Sequence, residues 1–209
     1  MLLTDTIRYG YSMKIMRQWP GTIVLRPRTF MDMVLDICQS VLNMGFSKLA
    51  ILDCHGHHSG LLNTVSRELC DACDKAIAII SPATLSKNEF NAIRKSSQGG
   101  AIRAGEWETS LVLHICPEVV DMSMATDEDT MKYNSEFVAG DTFLGRQLVT
   151  WSTWYLQASK TGIYGDPTVA TAETGRIVME AATANGVRFL KEFWAREDSA
   201  QAIVYSHGV

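Results

Sequence analysis

The apolar run Leu49–Leu52 constrains the fold of this chain more than any other segment. Such an unbroken run is typical of a strand buried in a parallel sheet, and we expect that strand over 47–53. A helical pattern over 60–74 follows it, and then a second β-rich run, 76–80. A strand, a helix and a strand of these lengths predict a βαβ unit, and with it an α/β fold whose parallel sheet is flanked by helices.

The remaining elements are predicted from periodicity and from residues that start or stop regular structure. The segment from Met1 to Tyr9 resembles the end of a strand, and a short strand is expected over 22–25. The polar segment 83–102, which carries Gly and Ser, predicts a surface loop, and the segment 123–165 predicts irregular structure. Helices are expected over three further segments: Thr29 to Gly45, about 104 to 116, and about 168 to 196.

The composition limits the kind of protein that the chain can form. The chain has 209 residues, 46% of them apolar, and we expect a single globular domain over 1–209 with a self-supporting core. A formal charge of −4 without runs of Lys or Arg argues against nucleic acid as a partner. No apolar stretch approaches the ~18 residues of a membrane span, and the start does not resemble a signal peptide. We therefore expect a cytoplasmic protein with no membrane partner.

Five cysteines, an odd number without a signal peptide, favour reduced thiols over disulfides. Cys70 and Cys73 have the spacing of a redox pair or of half a zinc site. They fall within the helical pattern over 60–74, however, and no second pair of cysteines completes a zinc cage. We expect them to be packing residues, with a redox pair or a pair of metal ligands as the alternative.

Three of the five histidines lie within four positions, directly after the expected strand: His55, His57 and His58. Imidazole is the commonest metal ligand and proton carrier in proteins. Open α/β sheets keep their ligand crevices at the carboxyl ends of strands, which is where these histidines fall. In a loop, His55 and His57 can present their rings to one ion or to two adjacent ions, whereas on a helix they would diverge. The alternative is a polar loop whose histidines face water.

A second group of polar residues precedes and begins the helix expected at about 104–116. Glu106 and Glu108 lie in its first turn, where the helix dipole alone favours carboxylates. Residues two apart on a helix point in roughly opposite directions, so at most one of the two is expected to face a site. Arg103, just before them, can pair with either carboxylate.

Four motifs together resemble those of one enzyme family, the creatininase (creatinine amidohydrolase) family. Residues 53–58, Asp-Cys-His-Gly-His-His, resemble the family's Asn-Gly-His-Gly-Gly-Asn or Asn-Gly-His-x-Glu-Asn. Residues 103–110, Arg-Ala-Gly-Glu-Trp-Glu-Thr-Ser, resemble its His-Ala-Gly-Glu-x-Glu-Thr-Ser. Residues 9–12 with 20–22, and 165–167 with 170–175, match two further motifs in the right order. On these motifs the chain is identified as a member of that family.

The resemblance implies a layered, creatininase-like α/β fold with a mostly parallel central sheet flanked by helices. It also implies a divalent metal centre of zinc, manganese or iron, dinuclear in a full-length form, and a homo-oligomer, a hexamer. The implied activity is hydrolysis of an amide-type C–N bond, or of a ring bond such as a lactone, in a small polar substrate. In such chemistry a metal-activated water attacks a carbonyl group.

The resemblance also implies roles for individual residues. His55 matches a metal ligand, His57 stands where creatininase has a ligand carboxylate, and Glu108 matches a glutamate that faces metal or substrate. By position, the remaining members of the two motifs are expected to act as catalytic residues (Arg103, Glu106) or to bind substrate (Asp53, His58, Trp107).

Two departures from the family pattern support a second hypothesis. Arg103 stands where the family has its catalytic histidine, and a guanidinium cannot shuttle protons near neutral pH, although it can bind an oxyanion or a carboxylate. The family's Glu-x-His-Gly-x-His…Thr-Asp segment is not found before Tyr9, so we expect its first strand and helix to be missing and Leu2–Ile7 to be its second strand. The alternative identifies Thr4-Asp5 with the Thr-Asp of that segment. The alternative to a hydrolase is therefore a non-catalytic or vestigial member that acts as a binding or oligomeric subunit. The changes at 57, 58 and 103 argue against creatinine itself as the substrate.

Overall fold

The computed structural model describes residues 1–73, 75–128, 135–150 and 159–196. The chain divides into two compact units. The first unit comprises Met1–Ser12, Ile23–Ser81 and Val187–Val209, and the second comprises Met13–Thr22 and Pro82–Gly186. The expectation of one domain over 1–209 stays a prediction.

The first unit is built on the expected βαβ arrangement. Strands β3 (Lys48–Leu52) and β4 (Ala76–Ile80) are parallel and in register from Lys48 opposite Ala76 to Leu52 opposite Ile80. The expectation that the first of these strands is buried was wrong, since Ala50 is exposed and Leu52 is 59% exposed. Strands β1 and β2 form a second, shorter parallel pair. The elements of this unit are β1 (Gly10–Tyr11), β2 (Val24–Leu25), α1 (Pro27–Asn43), β3 (Lys48–Leu52), α2 (Ser59–Cys73) and β4 (Ala76–Ile80).

The core of the first unit forms where the apolar faces of α1 and α2 meet. Pro27 opens α1, a position where its fixed φ suits the helix and its missing N–H costs nothing. Gly45 ends it in the left-handed region, at φ 96°. Between these residues the buried side chains recur at intervals of four, which places them on one face of the helix. The buried cluster consists of Phe30, Val34, Cys38, Leu42, Leu62, Val65 and Leu69.

The strand expected over 2–7 was a wrong prediction. Residues 1–9 form no regular structure, and Leu2 and Leu3 are 78% and 94% exposed. A strand is stable only when its backbone groups pair with a neighbour, and no described strand pairs with this segment. The strand expected over 22–25 is shorter than predicted and comprises only Val24–Leu25.

The second unit contains most of the helices. Strands β5 and β6 pair antiparallel, and Glu128 adds an isolated bridge to Gly165. Phe90, Ala101, Phe143 and Val178 form its buried cluster. Its elements are α3 (Pro82–Leu85), α4 (Lys87–Ile93), β5 (Ala101–Arg103), α5 (Glu106–Ile115), β6 (Tyr164–Gly165) and the part of α6 (Ala172–Ala195) that lies within it.

The surface loop expected over 83–102 was also a wrong prediction in its first half. The helices α3 and α4 occupy most of 82–93. Phe90 is completely buried and anchors α4, while the polar residues around it explain why the segment resembled a loop. One buried aromatic side chain is enough to hold so short a helix against a core. The expected helices over 29–45, 104–116 and 168–196 are present, the last one beginning later, at Ala172.

The described elements are of the α/β class, as expected. The described strands form three two-stranded sheets, two parallel and one antiparallel. Within the described parts of the chain, no helix combines the length and the apolar character that crossing a membrane requires.

Candidate functional site

The three clustered histidines lie at the carboxyl end of β3, as predicted. The Asp53 amide donates to the Ile80 carbonyl at 2.8 Å, so the last backbone bond between the two strands lies just before the histidines. The chain then forms a short 3₁₀ turn, Gly56–His58, and enters α2 at Ser59. We call residues 53–58 the histidine loop.

Asp53 ties the histidine loop to itself. It is 7% exposed, and its Oδ1 accepts the His55 amide at 3.1 Å. The same oxygen lies 3.4 Å from Nδ1 of His58. Because these contacts engage the Asp53 carboxylate within the loop, they favour a role in holding the loop over direct contact with substrate.

The His55 ring contacts the rings of both other histidines of the loop. The centroid of the His55 ring lies 4.9 Å from that of His57 and 4.8 Å from that of His58. The His58 ring stacks on Phe30 on α1, with centroids 4.3 Å apart. The structure therefore brings the three histidines of the loop together beside a buried carboxylate. These ring contacts do not support the alternative of a polar loop whose histidines face water.

His57 is held from two sides. Its Nδ1 lies 3.1 Å from the Ser12 hydroxyl, just after β1, and its amide donates to Nδ1 of His55 at 3.2 Å. A ligand histidine ordinarily has its second ring nitrogen hydrogen-bonded, which fixes the ring and its tautomer. The Ser12 contact gives His57 this arrangement.

The chemistry of the loop fits a divalent ion, since zinc, manganese and iron all accept imidazole nitrogen. The His57 amide can only donate, so Nδ1 of His55 accepts and the proton of that ring is on Nε2. His55 can bind an ion through Nε2 only if that proton moves and this bond opens. In the described residues, no group of three or more His, Cys, Asp or Glu side chains is arranged to hold an ion. The histidine loop therefore fits a divalent ion only as one part of the set of ligands that would hold it.

The contacts of Cys54, Cys70 and Cys73 do not favour them as further ligands. Burial, together with the Asp53 charge, raises the pKa of the Cys54 thiol, which disfavours the thiolate that binds metal. Cys70 and Cys73 donate to the backbone carbonyls of Lys75, at 3.3 Å, and Leu69, at 2.8 Å. These local contacts support the interpretation of the pair as packing residues.

Arg103 lies in the second unit, at the end of β5. Its Nε donates to the Gly162 carbonyl at 3.3 Å. Among the described residues, its two terminal nitrogens make no hydrogen bond, and they carry the donors that match a carboxylate or a carbonyl oxygen. Arg103 is therefore a fixed cation where the family resemblance implies a histidine.

Ala104, next to Arg103, adopts the left-handed backbone conformation at φ 48°, which is strained for a residue with a Cβ. Glu108 and Thr109 stabilise it, because the Glu108 carboxylate accepts the Ala104 amide at 2.6 Å and the Thr109 hydroxyl donates to its carbonyl at 3.2 Å. Glu108 is exposed as a residue, yet its carboxyl group lies among protein atoms. This desolvation raises the pKa of Glu108, against the Ala104 hydrogen bond and the Arg103 charge.

Glu106 and Trp107 have partners inside the second unit. Glu106 is fully buried, and its carboxylate accepts the Lys95 amide at 2.9 Å and the Ser96 amide at 2.8 Å. The indole of Trp107 donates to the Ser86 hydroxyl at 3.3 Å. These contacts favour structural roles for Glu106 and Trp107. Glu106 and Glu108 have different partners, as expected for positions two apart on a helix.

The ion pair of Arg94 and Asp141 was not found by sequence reasoning. Nη2 of Arg94 lies 2.9 Å from Oδ2 of Asp141, and the side chains are 6% and 0% exposed. Burial opposes the charge of Asp141, but hydrogen bonds from Arg94 and from the Phe143 and Gly99 amides outweigh it and lower its pKa. The partners are 47 positions apart, so no local pattern could have indicated the pair.

Phe143 is buried in the core of the second unit. Trp151, Trp154 and Tyr155 lie outside the described residues. The structure thus brings together Asp53, His55, His57 and His58 in the first unit, and it places Arg103, Glu106, Trp107 and Glu108 in the second unit.

Comparison with known proteins gives one family and one fold. The sequence model of the creatininase family, described as creatinine amidohydrolase, matches residues 1–190. Among solved structures, a candidate creatinine amidohydrolase of Bacteroides fragilis NCTC 9343 is similar, with a TM-score of 0.69 and 23% identity over 90% of this chain and 70% of that one. A search of curated proteins found no match.

Two creatininase structures are similar to the same extent. A manganese creatininase matches with a TM-score of 0.68 and 20% identity, over 90% of this chain and 74% of that one. A mutant creatininase of the zinc–zinc type matches with a TM-score of 0.66 and 19% identity over the same shares. At identities this low, the structural likeness establishes the fold.

Proposed function

The chain belongs to the creatininase family, and on that premise we propose that it is a metal-dependent hydrolase. Its substrate in this proposal is a small polar molecule with an amide-type C–N bond or a ring bond such as a lactone. The observation that carries the proposal is the contact of the His55 ring with the rings of His57 and His58, at the carboxyl end of β3 and beside a buried carboxylate.

His57 and His55 are the residues that would hold the metal. His57 has its Nδ1 beside the Ser12 hydroxyl, which supports binding through the other ring nitrogen. His55 joins it when the bond from the His57 amide opens. Zinc, manganese or iron bound there would supply Lewis acidity toward a carbonyl oxygen. Glu108 as a further ligand stays a prediction, since its described contact is with the Ala104 amide.

Arg103 is the residue proposed to bind the substrate. Its guanidinium stays charged throughout the neutral range, so it holds a carboxylate or stabilises negative charge on a carbonyl oxygen, and it cannot act as a base. The hydrogen bond from its Nε to the Gly162 carbonyl fixes the orientation of the guanidinium group. A polar substrate with an anionic or carbonyl group suits this residue better than one without such a group.

The test is metal content and hydrolysis, measured on the full chain and on two histidine variants. His57→Ala is expected to lose most of the bound zinc or manganese and any activity on a panel of small amides, formamides and lactones. His114→Ala, which removes an exposed histidine on α5, is the matched control and is expected to retain both. Metal content that is equal in the two variants would show that the histidine loop is not the metal site.

Arg103 favours one second candidate, a family member that binds its ligand without catalysis. A cation in place of a proton-transferring histidine is the specific observation behind it. The same experiment separates the candidates: bound metal and bound carboxylic acids without turnover of any panel substrate would support the binding protein. In either case a homo-oligomer, a hexamer by family resemblance, is part of the proposal.

A further inference from the structure

His58 occupies a narrow slot in the first unit. Its ring lies between two other rings, stacked on Phe30 at 4.3 Å and on His55 at 4.8 Å. The planes are inclined by only 27° and 26°, so both contacts are close to face-to-face. The side chain is 16% exposed. Because Phe30 fixes one face of the His58 ring, the other face meets His55 in a single orientation.

Asp53 sets the third side of the slot. Nδ1 of His58 lies 3.4 Å from Oδ1 of Asp53, and the same oxygen accepts the His55 amide. One carboxylate oxygen therefore links the backbone of His55 to the ring of His58. The other ring nitrogen, Nε2, is buried and has no hydrogen-bond partner among the described residues. A buried polar atom without a partner lowers stability, and its retention calls for an explanation.

Gly10 closes the slot at the edge of the ring. A Cβ on Gly10 would lie 2.5 Å from Nε2 and 2.6 Å from Cε1 of His58. Both distances are shorter than real side-chain contacts, and the ring cannot move aside easily because Phe30 and His55 cover its two faces. The glycine is required here by this close approach and not by its backbone conformation, which is not among the left-handed ones.

We propose that His58 is a positioning residue, held by Gly10, Phe30 and Asp53, that fixes the orientation of the His55 ring. The inference rests on the proposed function, in which His55 binds the metal, and it gives His58 a task other than contact with substrate. Aromatic stacking transmits the position of His58 to its neighbour, while Asp53 and Gly10 hold His58 itself.

The first test is ¹H–¹⁵N correlation of the imidazole nitrogens in the metal-free full chain. Gly10→Ala is expected to shift the ring signals of both His58 and His55. Gly56→Ala is the matched control within the histidine loop, because a Cβ there meets nothing within 4 Å, and its spectrum is expected to match that of the parent. A shift of His58 alone, with His55 unmoved, would overturn the proposal.

A second pair of variants keeps the test decisive if Gly10→Ala does not fold. His58→Phe preserves the stack without the nitrogens, and the His55 ring signals are expected to stay near their parent positions. His58→Ala removes the stack, and the His55 signals are expected to move. The ¹⁵N shifts of His55 are compared, because the lost ring current of a neighbour changes them little. A merely structural role would leave these shifts equal in the two variants.

Titration calorimetry of zinc binding tests whether the orientation of the His55 ring matters for the proposed metal site. Residues that orient a metal ligand ordinarily change affinity by about 10- to 100-fold. A decrease of that size is expected for Gly10→Ala and His58→Ala, and none for Gly56→Ala. If the parent chain binds no zinc or manganese, the proposed function fails, while the metal-free spectra still decide whether His58 orients His55.

Discussion

At the scale of single residues, Glu106 and Glu108 show how similar side chains acquire different tasks. Both are carboxylates in the first turn of α5. Glu106 points into the protein and accepts amides of the segment before β5, whereas Glu108 accepts the strained Ala104 amide beside Arg103. The sequence indicates that two neighbouring positions on a helix diverge. Which of the two turns inward depends on what packs against the helix.

Replacing Glu106 by Gln is expected to destabilise the protein. The Glu106 carboxylate accepts amides of both Lys95 and Ser96, and an amide side chain would direct N–H donors at N–H donors. Leaving buried groups unsatisfied in this way ordinarily costs about 1–3 kcal/mol of unfolding free energy. Urea denaturation measures the change, and Glu68→Gln, at an exposed position on α2, is the control with no expected effect. Equal midpoints for the two variants would contradict this prediction.

At the scale of elements, local pattern and tertiary contact contribute to different parts of the fold. The strand, helix and strand over 48–80 follow from an apolar run, a helical period and a β-rich run, and they are found where expected. The strand over 2–7 and the loop over 83–93 were wrong predictions, because their outcome depends on contacts with distant residues. A strand needs a neighbour to pair with, and α4 needs a core to receive Phe90.

The ion pair of Arg94 with Asp141 predicts an acid-dependent loss of stability. The pKa of Asp141 is lowered in the folded protein, so the pair stabilises the fold fully above the unfolded value of about 4. That contribution is lost as the pH falls from about 4 through the lower folded value. Urea denaturation between pH 7 and pH 3 measures this loss.

The variant Asp141→Asn is expected to be less stable than the parent at pH 7, because it leaves the Arg94 charge buried without its partner. Removing one member of a buried pair ordinarily costs about 3–5 kcal/mol. The variant is also expected to lose less stability on acidification than the parent. Asp36→Asn, at an exposed position on α1, serves as the control with the parental profile. A parental acid profile in Asp141→Asn would mean that another group governs the transition.

At the scale of the whole molecule, the chain belongs to the creatininase family and has a creatininase-like fold. The family model spans 1–190, and the structural neighbours share the fold over 90% of the chain. The two compact units carry the two motif regions separately, with the histidine loop in one and Arg103 in the other. The whole chain is therefore the unit on which metal binding and hydrolysis are to be tested.

The proposed hexamer gives a prediction at this scale. A chain of 23.2 kDa that assembles in sixes is expected to have a mass of about 139 kDa (6 × 23.2) in solution. Sedimentation velocity or light scattering coupled to size exclusion measures this mass directly. A concentration-independent mass near 23 kDa would show that the chain is a monomer and would remove the oligomer from the proposal.

Local periodicity and short motifs predict the βαβ unit, the place of the histidine loop at a strand end, most of the helices and the family. Three features depend instead on tertiary contacts: His58 lies between Phe30 and His55 against Gly10, Glu106 is buried, and Arg94 pairs with Asp141. Gly10 and His58 are 48 positions apart, and Arg94 and Asp141 are 47 apart. Such contacts follow from how apolar cores pack, and no local spacing in the chain encodes them.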